Sequence, residues 1–307
     1  MSTSRPSPKT RRPRWTPWLF AAPGLLLLTL FMVVPFLMAA VLSFTDQRLL
    51  THAALPTEVI GWENYLRLWD DDSFWAALGN NLRFVAVVVP LQTALALGLA
   101  LLVNRKLRGS HLFRTIYFMP VATTMSVVAV IWSLMYSPDQ GVINRLIDVL
   151  SFGSIGPQDW LRDPALVMPA VMLLSIWQGV GFQMLVFLAG LQAIPVDLYE
   201  AATLEGARPW QQFRWITLPM LRNTTIFVLV TTTIYAFQLF TQVQIIASSG
   251  AAAPVDSFRT LVMLMVHEGL RNGSIGYASA LSVVFFGIVL AISMIQRLII
   301  REDGGAA

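Results

Sequence analysis

The chain has 307 residues, 56% of them hydrophobic and only 12% charged, with a formal net charge of +4 and a mean hydropathy of +0.64. That usage is far from a soluble globular domain and puts a membrane solvent first. Cysteine is absent, which excludes disulfides, thiolate metal sites, iron–sulfur clusters and a cysteine nucleophile.

A bilayer core about 30 Å thick takes roughly 20 apolar residues of a helix that rises about 1.5 Å per residue. Six segments qualify, at 18–42, 82–103, 116–135, 165–191, 224–246 and 275–295, which predicts an all-α polytopic membrane protein. They make a transmembrane domain over 18–300 between a basic tail, 1–17, and a short tail, 301–307. The first run also has the look of a secretory signal peptide, but it exceeds the apolar core of about 7–15 residues typical of one, and five more spans follow. Pro23, Pro35, Pro90, Gly179 and Gly181 fall inside the runs, where neighbouring helices can satisfy the freed backbone groups. The connection 43–74 is long and acidic, with Asp70, Asp71 and Asp72 in a row among Trp62, Tyr65, Trp69 and Trp75, and predicts an amphipathic segment at the interface. Internal repeats and low-complexity tracts are not evident.

Basic residues set the orientation. Fourteen of the 21 lie in the N-terminal tail, the second-to-third and fourth-to-fifth connections and the C-terminal tail; six lie in the alternate connections, together with twelve of the 17 acids. The positive-inside rule then places both termini in the cytoplasm. Arg83, the remaining one, sits at the edge of the second span, from which it can snorkel.

The fourth-to-fifth connection, 195–219, reads Pro195-Val-Asp-Leu-Tyr-Glu200-Ala-Ala-Thr-Leu-Glu-Gly206-Ala-Arg-Pro-Trp-Gln-Gln-Phe-Arg-Trp-Ile216-Thr-Leu-Pro219. Its spacing predicts a helix from Pro195 to Glu205, a break at Gly206 and a second short helix opened by Pro209 and closed by Pro219. Trp210, Phe213, Trp215 and Ile216 offer an aromatic surface that could fill a partner's groove. Taken singly, Glu200 reads as a solvated helix charge and Gly206 as an ordinary helix cap.

Taken together, Glu200-Ala201-Ala202, Gly206, Ile216 and Leu218-Pro219 resemble, at every defining position, the cytoplasmic EAA loop of ABC-importer permeases. Gly61-Trp-Glu-Asn-Tyr-Leu-Arg-Leu, Arg114-Thr-Ile-Tyr-Phe-Met-Pro120, Ile176-Trp-Gln-Gly-Val-Gly-Phe182, Leu188-Ala-Gly-Leu-Gln-Ala-Ile-Pro195 and Gly276-Tyr-Ala-Ser-Ala-Leu-Ser282 resemble the carbohydrate-uptake branch, of maltose and glycerol-phosphate type. Glu205 stands where many relatives have Asp, and Ser248–Pro254 replaces a Thr-rich, Gly-Gly-Pro stretch. The resemblance implies a type I importer permease in a bacterial or archaeal cell (inner) membrane, coupled through Glu200, Ala201, Ala202, Gly206, Ile216, Leu218 and Pro219 to ATPase subunits. It further implies a second homologous permease, two cytoplasmic ATPases, an extracytoplasmic solute-binding protein and a mono- or oligosaccharide or a related polyol phosphate as cargo.

Only two lysines exist, Lys9 and Lys106, and neither follows a glycine, so the phosphate-cradling Gly-x4-Gly-Lys motif is missing. No cofactor is expected on this chain; ATP and Mg belong to the partner ATPase. His52, His111 and His267 lie in separate connections with no His-Glu-x-x-His, which argues against a metal site. The rival class is an ion-coupled secondary transporter, which would place couplers such as Asp or Glu within its spans; none of the six holds a carboxylate. A nucleic-acid partner is not expected, because the basic residues sit in short clusters between apolar runs.

Sugars are recognised by aromatic faces and by amides or hydroxyls in a cavity among helices. Tyr235, Gln238 and Gln242 share one face of the fifth span at i, i+3 and i+7, with Phe237, Phe240 and Gln244 nearby. The fourth span adds Trp177, Gln178 and Gln183, and the third adds Trp132. Each amide serves equally well as glue between helices, so both roles stay open.

Overall fold

The computed structural model describes residues 15–50, 56–104, 110–249 and 253–301. The N-terminal cluster of Arg5, Lys9, Arg11, Arg12 and Arg14, the cluster Arg105, Lys106 and Arg108, His52, the His111 side chain and residues 302–307 lie outside the described residues and side chains.

Helix α1 (Thr16–Leu28) and α2 (Val34–Leu42) are joined by a π-turn at Thr29–Val33 into one span, 18–42. The wider turn ends just before Pro35 and gives the pyrrolidine ring room against the preceding turn. Helix α3 (Glu63–Asp70) follows in the long connection, with Leu68 buried and Leu66 and Trp69 exposed, an amphipathic helix as the composition predicts. Helix α4 (Asp72–Asn104) is far longer than the predicted second span and continues about ten residues beyond it at the α3 end.

The third span corrects the sequence reading. In place of one helix over 116–135 there are two, α5 (Ser110–Ala122) and α6 (Met125–Met135), bent by 97° at the break. Pro120 removes a donor near the end of α5, and Thr124 takes an extended conformation, ψ 140°, that starts α6 in a new direction. Helix α7 (Val142–Leu150) lies in the next connection, and α8 (Val167–Gln192) is the fourth span.

Helix α9 (Val196–Leu204), α10 (Pro209–Gln212) and α11 (Leu218–Met220) form the 195–219 loop, with a π-turn at Phe213–Thr217 between the last two. Pro219 does not close the second helix as predicted. The π-turn immediately before it accommodates the ring, and the helix runs on to Met220. The fifth span consists of α12 (Arg222–Phe237) and α13 (Thr241–Ser248), interrupted at Gln238–Phe240. Helix α14 (Leu261–Val266), a π-turn at His267–Arg271 and α15 (Ile275–Arg301), which carries the sixth span, complete the chain.

By length and composition the described residues hold five spans, or up to six when the bent pair is one span. Among them, β structure is limited to two isolated bridges, Thr45 with Val59 and Arg48 with Ser274.

Breaking a span in lipid leaves backbone groups to satisfy. Asn81 on α4 does so for the fifth: its Nδ2 donates to Phe237 O (3.2 Å), and its Oδ1 accepts from Leu261 N (2.9 Å). Thr260 Oγ1 donates to Leu239 O (2.7 Å). The break is therefore held by α4 and by the segment ahead of α14.

Candidate functional site

Two features concentrate the polar chemistry. The first is the 195–219 loop. Helix α9 ends in a Schellman motif, with Ala207 N donating to Ala202 O (2.9 Å) and Gly206 N to Thr203 O (3.0 Å). Gly206 occupies the left-handed position at φ +80°, and a Cβ there would meet nothing within 4 Å. Backbone sign rather than crowding calls for glycine here. The two halves are tied by Tyr199 Oη and Thr217 Oγ1 (2.9 Å) and by Gln212 Nε2 donating to Thr203 Oγ1 (3.0 Å). At its base Tyr199 and Ile216 pack against the cluster of Phe187, Leu188, Leu191, Leu221 and Ala100, which joins the loop to α4, α8 and α12.

Beyond that base the loop is bare. Leu204 is 91% exposed, Trp215 73% and Trp210 69%. Glu200, Ala201 and Pro219 are exposed, while Ala202 and Leu218 are half-buried. Glu200 forms no ion pair with another described residue. A rigid knuckle with an exposed carboxylate and two exposed indoles is suited to seating against another protein.

The second feature is a cavity of about 430 Å³ where the two interrupted spans face each other. Val121 and Met125 flank the break between α5 and α6, and Gln238 and Leu239 belong to the break between α12 and α13; α4 and α8 supply the remaining walls. Five amides line it, from Gln92, Gln178, Gln183, Gln238 and Gln242, with hydroxyls from Ser175, Thr231, Thr232 and Tyr235 and aromatic walls from Phe84 and Phe182. Gln183 donates to Thr232 Oγ1, and Gln242 to Ser175 Oγ (3.1 Å). Gln183 Oε1 is buried without a partner. Among the described lining residues there is no Asp, Glu, Lys, Arg or His.

Tyr235, Gln238, Gln242, Gln178 and Gln183 thus meet in one cavity. Trp132 and Trp177 are not in its lining: their rings meet in a tilted contact at 5.5 Å, as do those of Trp132 and Tyr136 at 5.5 Å, toward the far end of α6. Burial pushes the Tyr136 phenol up, and it donates to Ala170 O (2.7 Å). Phe237 is fully buried, in edge-to-face contact with Phe285. Gln92, Phe84 and Thr232 escaped the sequence reading. The signal available for Gln92 was a lone amide in an otherwise apolar run, which is costly in lipid unless it faces a partner or a cavity.

The sequence pattern of the family described as binding-protein-dependent transport system inner membrane component matches residues 92–302, which hold the loop and the cavity from Gln92 onward. The chain belongs to this family. Over 288 residues the permease is 36% identical to the lactose transport system permease protein LacF of Rhizobium radiobacter, covering 93% of this chain and 94% of that one. It is 30% identical over 296 residues to the sn-glycerol-3-phosphate transport system permease protein UgpA of Yersinia pestis, covering 96% of both. Its fold matches a chain in the crystal structure of a bacterial alginate ABC transporter in complex with an alginate pentasaccharide-bound periplasmic protein, with a TM-score of 0.80 at 20% identity, covering 95% of this chain and 96% of that chain. The permease is a multi-pass inner-membrane subunit of an ABC importer, and this assignment displaces the ion-coupled alternative.

Proposed function

We propose that the permease forms one side of a translocation path for a neutral sugar or related polyol. The observation that carries this reading is the uncharged cavity, whose five amides and four hydroxyls can bond sugar hydroxyls in either sense while Phe84 and Phe182 pack on C–H faces. The relatives are named for lactose and for sn-glycerol-3-phosphate transport. A lining without a cation favours the uncharged class, because a phosphate taken out of water needs a charged or strongly donating partner.

A second, homologous permease would complete the path on the open side, where Tyr235 is 70% exposed. Two ATPase subunits, carrying ATP and Mg, would seat on Glu200–Pro219 in the cytoplasm, and an extracytoplasmic binding protein would deliver the solute. Both termini would be cytoplasmic, consistent with fourteen of 21 basic residues on that side. Closure of the ATPases would move the loop as a body, and the packing of Tyr199 and Ile216 would carry the motion into α8 and α12.

The test is uptake by the complete complex in proteoliposomes. ATP inside with loaded binding protein outside should drive accumulation that survives collapse of proton and sodium gradients. Uptake driven by either gradient without ATP would overturn the proposal.

A further inference from the structure

The family motif and the cavity leave α7 unexplained. At about 100° per residue, Val142, Leu146, Val149 and Leu150 fall in one arc of α7, and all four are exposed. Arg145 and Asp148 occupy the neighbouring arc, also exposed, while Ile143 packs against the protein core.

The end of α7 is more unusual. Gly153 N donates to Asp148 O (2.9 Å) and Phe152 N to Val149 O (3.3 Å), the same Schellman pattern that closes α9. In α9 the left-handed position is Gly206; here it is Phe152, at φ +53°, the only non-glycine residue at positive φ among those described. A phenylalanine is disfavoured in that conformation. Phe152 is 96% exposed, so no contact with another described residue offsets the strain.

We propose that α7 and Phe152 form a monotopic lipid anchor, seated in the leaflet on the side of the membrane opposite the 195–219 loop. Position and roll are both fixed. Asn144 is buried and fastens α7 to the segments joining it to α6 and α8: its Nδ2 donates to Pro138 O (3.2 Å) and Gln158 O (2.8 Å), and its Oδ1 accepts from Gln158 N (3.2 Å) and Trp160 Nε1 (2.8 Å). Tyr136, just past α6, is bonded in turn to Ala170 of α8. The apolar arc is therefore held in one roll on the connection between α6 and α8, with the charged arc beside it.

Chemistry selects lipid over a protein partner. The arc and Phe152 present only hydrocarbon, with no side-chain donor or acceptor, whereas protein interfaces carry about one hydrogen bond per 100–200 Å². An interfacial helix needs this division into an apolar arc and a charged arc. The inference rests on the membrane assignment and not on the cargo.

The chain has no cysteine, so Asp148→Cys, Leu150→Cys and Phe152→Cys, made singly, can each carry a nitroxide label in the assembled transporter in proteoliposomes, without binding protein. At 150 and 152 the label should collide more often with oxygen than with a water-soluble nickel chelate, and at 148 the order should reverse. Preferential collision with the chelate at 150 and 152 would place the arc in water. Protection from both reagents would place a protein there. Either result overturns the proposal.

Discussion

The amide of Gln92 on α4 lies over the bare backbone of Gly179 on α8, so close that a Cβ at 179 would come within 2.5 Å of its Nε2. The missing side chain at Gly179 is what admits Gln92 into the cavity wall. Gly179→Ala should displace the amide, and Gln92→Leu should remove it. One neutral hydrogen bond to a solute hydroxyl is worth about 0.5–1.5 kcal/mol, so either change should lower the rate of uptake at saturating loaded binding protein by about 2–10-fold. A double variant should cost little more than either change alone. An unchanged rate in both single variants would remove Gln92 from the path.

Gly206 needs its positive φ and not its lack of bulk, since a Cβ there has open space. Gly206→Asn should retain coupling, because Asn tolerates the left-handed conformation. Gly206→Val should cost about 1–3 kcal/mol of loop stability, and with Glu200→Lys it should detach the ATPases or leave their turnover deaf to loaded binding protein. Co-purification and stimulated ATPase activity decide it; a double variant with its full ATPase complement and wild-type import would refute the coupling role.

Asn81 serves two backbone groups at once, Phe237 O and Leu261 N. Asn81→Leu leaves both buried and unpaired, at about 1–3 kcal/mol each. The variant should unfold at a lower temperature in detergent, and the effect should exceed that of Asn80→Leu, since Asn80 contributes its amide N–H groups alone, to Asp256 O and Arg259 O. Equal melting temperatures for wild type and Asn81→Leu would mean that the break is held by other contacts.

The proposed orientation is tested by reporter fusions after Gly156 and after Arg108. The first should report the outer side and the second the cytoplasm, and the reverse pattern would invert the topology.

The membrane class and five of the six span positions were legible because a long apolar run has few other readings. The third run misled because hydropathy averages over composition and does not register direction: Pro120 marked the weak point, but the 97° bend depends on Thr124 taking an extended conformation. The interruption at Gln238–Phe240 was less visible still, because the groups that make it tolerable, Asn81 and Thr260, lie elsewhere in the chain. The knuckle was legible at Gly206, whose signal is local. Pro219 was misread because a π-turn absorbs a proline without any mark in the sequence. Phe152 was hidden for a related reason: the visible glycine, Gly153, stands one position after the residue that takes the strained conformation of the Schellman end.

The central claim is that the amide-lined cavity carries the solute, and the most direct measurement is ATP-driven uptake alongside binding-protein-stimulated ATPase activity for Gln238→Leu and Tyr235→Phe in proteoliposomes. Both side chains line the cavity from its exposed side, where substitution leaves the packed core of the permease intact. Uptake should fall in both variants, with subunit composition and basal ATPase activity at wild-type levels. Wild-type uptake and wild-type stimulation in both variants would contradict the assignment.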